Sequence, residues 1–379
     1  MQIAFRYRIY PNHAQQTILE GWLAQCCELY NAALQERRDA WKICKKSVTY
    51  KEQANQLSEI KECRTEFGRV HSQVLQDTLK RLDKAFDAFF RRVKTGDKAG
   101  FPRFRPRARY DSFTFPQSGF AMESGKLKLS KIGKVKIKLH RPIEGKIKTC
   151  TIKRSSTGKW FACLAVECHA QPLPKSKESI GIDVGLKEFA VLSNGEAISN
   201  PKFFRQAEKR LAKAQRRLSK AAKGSPERKK CRKVVAHVHD HIANKRRDFA
   251  HQESRKLVNR FGIMVFEKLN IRGMLKNHCL AKSIADAAWS QLVNFTSYKA
   301  ENAGRRAVQV NPRNTSKMCS GCGELAEIDL SVRIFHCIGC GFTLDRDHNA
   351  AINILRLGLQ SLGVPHAQTI EAALMQGAE

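Results

Sequence analysis

Along residues 2–9 apolar side chains alternate with polar ones, in Ile3, Phe5, Tyr7 and Ile9, the period of a strand with one buried face. Pro11-Asn12 ends that alternation. From about residue 14 to 94 the spacing changes to three and four, first in Ile18, Leu19, Trp22 and Leu23, later in Leu79, Leu82, Phe86, Phe89 and Phe90. This predicts a helical block with basic outer faces. Residues 96–110, GDKAGFPRFRPRARY, predict a basic loop. Alternation returns over 111–170, where SFTF, KLKLSKIGKVKIKL, KIKTCTIKR and KWFACLAVEC predict antiparallel strands with an outward face made mostly of Lys. The first strand is expected to pair with this sheet. Residues 1–10 and 111–170 would then form one β module, and 11–110 a helical insertion within it.

A Pro-containing linker at 171–177 precedes a different pattern. ESIGIDVGLKEFAVLSNGEAIS predicts three strands, the last two joined by an Asn194-Gly195 hairpin turn. A long basic helical stretch runs from 202 to about 260, broken once at Gly224-Ser225-Pro226. Residues 262–270 predict a short buried strand, 281–304 a helix, 306–310 a strand and 349–359 a final helix. Strands in a meander, then strands alternating with helices, predict an α/β layer fold. Residues 358–379 lie beyond the last motif and are expected to form a disordered tail.

The charge changes the picture. In 379 residues, 69 Lys and Arg face 35 Asp and Glu, a formal net charge of +34, while 42% of residues are hydrophobic. There is enough apolar material for sizeable cores, so this is not a disordered basic tail. A duplex of about 20 base pairs carries roughly 40 phosphates, the same order as the excess charge. Nucleic acid is the expected partner. No run of apolar residues is long enough to predict a membrane span, and Arg6 and Arg8 stand where a signal peptide would be apolar. Nine of the thirteen cysteines are scattered, as reduced thiols in a cytosol are.

The other four fall in two C-x2-C pairs, Cys319/Cys322 and Cys337/Cys340. That spacing lets four thiolates close on one tetrahedral Zn2+, which would be structural because no coordination position stays open. Gly323 and Gly341 suit the turn each pair requires. A second constellation is acidic: Asp183 in the first strand of the meander, Glu267 at the end of an apolar strand, and Asp347 at the start of the last helix. Singly, each reads as a cap, turn or ion-pair residue. If a fold brings them together, their repulsion requires cations, and two Mg2+ ions would answer it and serve phosphodiester hydrolysis. His237 and His241, four apart, lack the accompanying Glu of a metal-binding helix and read as solvated or RNA-facing.

GIDVGLKEFAVLSNG, MVFEKLNI and CSGCG…CIGCGFTLDRDHNAAINI, in that order, closely resemble the TnpB proteins of bacterial insertion sequences, relatives of type V CRISPR effectors. SQVLQDTLKRLDKAFDAFFRR and GFPRFRPRARYDSFTF look like the same family's N-terminal half, so the resemblance covers roughly residues 1–355. It implies an RNA-guided DNA endonuclease with an RNase H-like (RuvC) nuclease domain, residues 178–318 and 344–357, interrupted by a zinc ribbon at 319–343. Before it would stand a β-barrel-like wedge module with its helical recognition insertion. Asp183, Glu267 and Asp347 match the family's metal-binding acids. The resemblance also implies a guide RNA, a double-stranded DNA target, a monomer in the ribonucleoprotein, and a prokaryotic cytoplasmic, nucleoid-associated setting. Two alternatives are a nuclease-inactive RNA-guided repressor and a transposase that uses no RNA.

Contacts to nucleic acid are expected from Arg103 and Arg105 in the basic loop, Arg216, Arg217, Lys245, Arg246 and Arg247 in the basic helical stretch, and Lys317 beside the ribbon. Gln73, Gln76 and Lys80 share one helical face, either reading a short DNA motif beside the target or facing solvent. Asn314 to Ser316 either contacts a DNA strand or caps a turn.

Overall fold

β1 (Gln2–Tyr10) buries Tyr7 and Ile9 and leads through Pro11 into α1 (His13–Cys44). Asn12 caps that helix, accepting from the Gln15 backbone while the Gln15 side chain accepts from Asn12 N–H. Short helices α2 (Tyr50–Asn55), α3 (Leu57–Cys63) and α4 (Thr65–Gly68) lead to α5 (Ser72–Lys94). Six strands follow: β2 (Ser112–Phe115), β3 (Phe120–Glu123), β4 (Lys126–Leu129), β5 (Gly133–Lys138), β6 (Lys146–Arg154) and β7 (Trp160–Glu167). The computed structural model describes residues 1–329 and 332–364, so most of the expected tail, residues 365–379, lies outside the described residues.

The first of two compact units is Met1–His169. Its seven strands pair antiparallel in the order β2-β6-β7-β1-β5-β4-β3. The pairing expected for residues 1–10 is present: Ile3 lies opposite Val166 and Ile9 opposite Trp160. Among the described residues no ladder joins β2 to β3, so the sheet is open where a barrel-like closure was expected. Trp22 and Leu19 of α1 and Leu75 and Leu79 of α5 share one core with Phe113, Phe115 and Leu164 of the sheet. On β4 and β5, Leu127, Leu129, Val135 and Ile137 point into that core while Lys126, Lys128, Lys134, Lys136 and Lys138 stay exposed.

The second unit starts at Ala170. β8 (Ser179–Val184), β9 (Glu188–Leu192) and β10 (Ala197–Ser199) form the predicted meander, with Gly195 at φ +86° in the hairpin turn. The basic stretch folds as a hairpin of α6 (Phe203–Lys220) and α7 (Pro226–Arg260), capped by Ser225 and seamed by Leu211, Val238 and Ile242. β11 (Ile263–Glu267) follows, then α8 (Ile271–Met274), α9 (Ala281–Ala287), α10 (Trp289–Asn302) and β12 (Arg306–Val310). The helix expected over 281–304 is thus broken at Ala288, whose φ of 54° is left-handed. A hairpin, β13 (Ile334–His336) and β14 (Thr343–Asp345), precedes α11 (Arg346–Ser361).

The five-stranded sheet runs β10-β9-β8-β11-β12, antiparallel in its first three strands and parallel from β8 to β12. Ile180, Ile182, Met264 and Phe266 pack beneath Leu257 of α7 and Leu292 of α10. Val265 and Val310 pack with Ile354 of α11. Because side chains alternate along a strand, these are opposite faces, and the unit is a three-layer α/β arrangement. No helix among the described residues is long and apolar enough to cross a membrane.

Candidate active site

The parallel register sets Ile182 beside Phe266, so the next residues, Asp183 and Glu267, are neighbours near the carboxyl ends of adjacent strands. Alternation puts Gly181, Asp183, Val265 and Glu267 on the face covered by α11. The third acid comes with that helix. Asp345, also in the motif, is its N-cap: the carboxylate accepts from the backbone of Asp347 at 2.9 Å and His348 at 3.2 Å. Asp347, Ala351, Ile354 and Gly358 recur at helical spacing, one stripe along α11.

Two missing side chains let this stripe lie against the sheet. A Cβ on Gly181 would sit 2.1 Å from the Ala351 carbonyl oxygen, and one on Gly358 would sit 2.3 Å from Val265 Cγ2. Ala351 lies over Gly181, and the residue one turn earlier, Asp347, is carried toward Asp183, two residues further along β8. A close helix–strand contact thus joins acids that the chain keeps 84 and 80 positions apart.

Electrostatics report the juxtaposition. Burial pushes the Asp183 carboxyl well above its usual range, the charges of Glu267 and Asp347 push it further, and Arg346 pulls it back. Burial also raises Glu267, against the Thr315 hydroxyl that donates to its Oε1. Arg346 binds Asp347 Oδ1 at 3.1 Å, and Arg333 approaches Oδ2 at 3.8 Å. The three acids are not gathered as tightly as the cysteines, which among the described residues are the group of metal-ligating side chains with all donor atoms within 4.8 Å. Three hard carboxylates, two of them resisting ionisation, form a donor set suited to Mg2+.

In the cysteine group the Cys319–Cys340 and Cys322–Cys337 sulfurs stand 3.7 and 3.5 Å apart. A tetrahedral zinc with bonds of about 2.3 Å needs sulfurs about 3.8 Å apart. The backbone builds both knuckles alike: Gly323 N–H donates to Cys319 O and Gly341 N–H to Cys337 O, with both glycines at positive φ. Burial would raise the Cys319 thiol, but backbone N–H groups of Cys322 and Gly321 outweigh it and bring it down to about 7. Cys322 and Cys337 are raised instead, so in this crowded group Cys319 is the first thiol to ionise.

Several site residues carried no clear signal in the sequence. Thr315 falls in the Asn314–Ser316 element, which folds as a turn with Asn314 at φ 64° and the Thr315 hydroxyl on Glu267. Asn349 and Asn353 are wholly buried on α11. Asn349 accepts from Ser320 N–H at 2.9 Å and donates to Met318 O at 2.8 Å, while Asn353 donates to Thr315 O at 2.9 Å. They bind the loop carrying Thr315 and Cys319 to the helix carrying Asp347. Polar residues inside the NAAINI helical pattern were the available hint.

The cations expected at nucleic acid divide. Arg103, Arg105, Arg216, Arg217, Lys245 and Lys317 are exposed, Arg217 paired with Glu227 at 3.0 Å. Arg246 is a correction: it is largely covered and forks onto the buried Asp286 at 2.6 and 2.9 Å, so its charge is committed inside the protein. Arg247 is half-buried and donates to Asn244. Gln76 and Lys80 are exposed, whereas the Gln73 carbonyl accepts from the backbone and hydroxyl of Ser118. His237 and His241 are exposed and belong to no metal-ligating group among the described residues.

The family described as a probable transposase, OrfB of IS605, matches residues 161–278, and the one described as a Cas12f1-like TNB domain matches 289–354. Residues 1–46 match a family described as a helix-turn-helix domain, although here they form the strand β1 and the single long helix α1. A protein of Streptomyces pristinaespiralis named "Putative RNA-guided DNA endonuclease" is 38% identical, covering 94% of this chain and 89% of the relative. A similarly named protein of Escherichia coli K12 is 30% identical, covering 94% and 92%. A solved structure titled as the mini-RNA-guided endonuclease CRISPR-Cas_phi3 aligns with 97% of this chain and 93% of its own at 9% identity and a TM-score of 0.47. The 38% identity to the Streptomyces protein over 94% of this chain, on top of the matched family models, makes this chain a member of the TnpB (IS605 OrfB) family.

Proposed function

We propose that the protein is an RNA-guided DNA endonuclease whose second unit is an RNase H-like (RuvC) nuclease interrupted by a zinc ribbon. The observation that carries this reading is the convergence of three acids: the parallel register sets Asp183 beside Glu267, and α11, seated against Gly181, brings Asp347 toward them, where burial and then the two neighbouring charges raise the Asp183 carboxyl. An acid cluster only partly offset by Arg346 and Arg333 costs stability until cations enter it, and perturbed acids of this sort mark functional sites. The names of the bacterial relatives point to the same activity.

In this reading Asp183, Glu267 and Asp347 hold two Mg2+ ions. Bound Mg2+ supplies charge neutralisation and water activation for phosphodiester hydrolysis. The protein's own residues prepare the site: Thr315 orients Glu267, Asn349 and Asn353 fix the loop beneath it, and Arg346 offsets negative charge beside Asp347. The four cysteines hold a structural zinc, seven residues before Asp347, that steadies the ribbon near the cutting site. Exposed cations of α6, α7 and the Lys face of the first unit bind guide RNA and heteroduplex backbone. Base pairing selects a double-stranded DNA target, and the first unit reads a short flanking motif. The working form is a monomeric ribonucleoprotein in a prokaryotic cytoplasm, acting on the nucleoid.

The test is a plasmid carrying a guide-matched target, incubated with Mg2+ and protein purified with its RNA. Wild type cuts it. Asp183→Ala abolishes cutting and retains guided binding; undiminished cutting would refute the role of the acids.

A further inference from the structure

Beside the acid cluster, on the α10 side of the sheet, lies a cleft of about 260 Å3 that shares Glu267 with it. It sits at the carboxyl end of β11, the edge where open α/β sheets receive ligands. A single water occupies about 30 Å3, and pockets for drug-sized molecules begin near 300 Å3, so the volume is enough for one small ring system. Phe266, Trp289 and Val293 are its buried apolar walls. Ser290, Asn294 and Gln309 form an exposed polar rim.

One wall is incompletely satisfied. Trp289 is 2% exposed, and its indole Nε1 has no hydrogen-bond partner. That nitrogen is itself closed off within the wall, so the polar contacts open to a ligand are those of the rim. The Asn294 and Gln309 amides each offer one acceptor and a donor group, matching the mixed edge of an unpaired base.

We propose that this cleft receives an unstacked nucleobase of the DNA strand being cut, next to the scissile phosphate. The inference rests on the endonuclease reading above. A base inside a duplex has its edge occupied and both faces stacked, so the cleft admits only a strand already opened by the guide. Seating one base beside Glu267 also sets which phosphate lies at the acids, and thereby the cutting register.

The test uses the ribonucleoprotein and targets with single abasic residues placed in turn across the cut positions. One position flanking the cut should lower the cleavage rate about tenfold or more. 2-Aminopurine at that position should change fluorescence on guided binding by Asp183→Ala, where nothing is cut. Ser290→Trp, at the exposed rim, should block the cleft, slow the intact target similarly and erase the difference between intact and abasic DNA. Asn294→Ala, also exposed, should weaken the dependence on that base. A wild type that cuts with a flat abasic scan overturns the inference, as does a Ser290→Trp variant that keeps full abasic sensitivity. Failure of the endonuclease reading would look different: no guided target is cut at all.

Discussion

Replacing Gly181 with Ala probes the contact that gathers the acids without touching any of them. The new Cβ would lie 2.1 Å from the Ala351 carbonyl oxygen and 2.7 Å from the Leu355 nitrogen, where ordinary contact begins near 3.4 Å. Both obstacles are helix backbone, which no rotamer change removes. α11 must therefore lift locally by about 1.3 Å. Overpacking of this kind costs about 1–3 kcal/mol. At about 2–4 °C per kcal/mol for a unit of this size, melting falls by several degrees. Asp347, one turn from Ala351, moves with the helix, and a displacement of about 1 Å at reacting groups costs on the order of 100-fold in rate. Single-turnover cleavage of a guided target should thus drop about 100-fold, while guided binding changes by less than about threefold, because the basic surfaces are untouched. Gly21→Ala is the control: it lies inside α1 with nothing within 4 Å of the added carbon, and should gain about 0.5–1 kcal/mol. Gly181→Ala cutting at the wild-type rate with unchanged melting would refute the argument that this contact positions Asp347.

Other outcomes follow from the same geometry. Asp183→Asn should stabilise the metal-free protein at neutral pH, since the folded carboxyl titrates above its unfolded value near about 3.9 and its ionisation is resisted by burial and two acids. Wild type loses this stability as pH rises through the raised value, so melts in chelator should converge below about pH 4 and separate above it; parallel curves would contradict the raised carboxyl. Cys337→Ser should lose bound zinc, measured by metal analysis, and loosen residues 319–343 to proteolysis; full zinc content would rule out four-cysteine ligation. Arg246→Ala leaves the buried Asp286 charge with the Phe204 N–H but no cation and should cost about 3 kcal/mol in stability, whereas the exposed Arg216→Ala should weaken RNA binding with little change in melting. A reversed pattern would return Arg246 to the nucleic-acid surface.

Local pattern was sufficient for what repeats at short range. The alternation in residues 2–9 and in KLKL and KVKIK is the alternation seen in β1, β4 and β5, and the C-x2-C pairs form the knuckles their spacing requires. The break at Gly224-Ser225-Pro226 is where Ser225 caps α7. The break at Ala288 had no such signal, because alanine rarely adopts the left-handed conformation it takes here and no Gly, Pro or Asn marks the position. Arg246 shows the limit most directly. In sequence it is one cation among many, and its partner Asp286 lies 40 residues away, inside the fold.

By itself, then, the chain determined its strands, its basic faces and its two C-x2-C knuckles, because each depends on residues within a few positions of one another, and the order of its motifs identified the family. Periodicity states which face of an element is buried but not what buries it. The adjacency of β8 and β11, the seat of α11 against Gly181, the hydroxyl of Thr315 on Glu267 and the cleft beneath Trp289 were decided by tertiary structure alone. They join residues tens of positions apart, and the free energy selecting them is spread over the packed faces between.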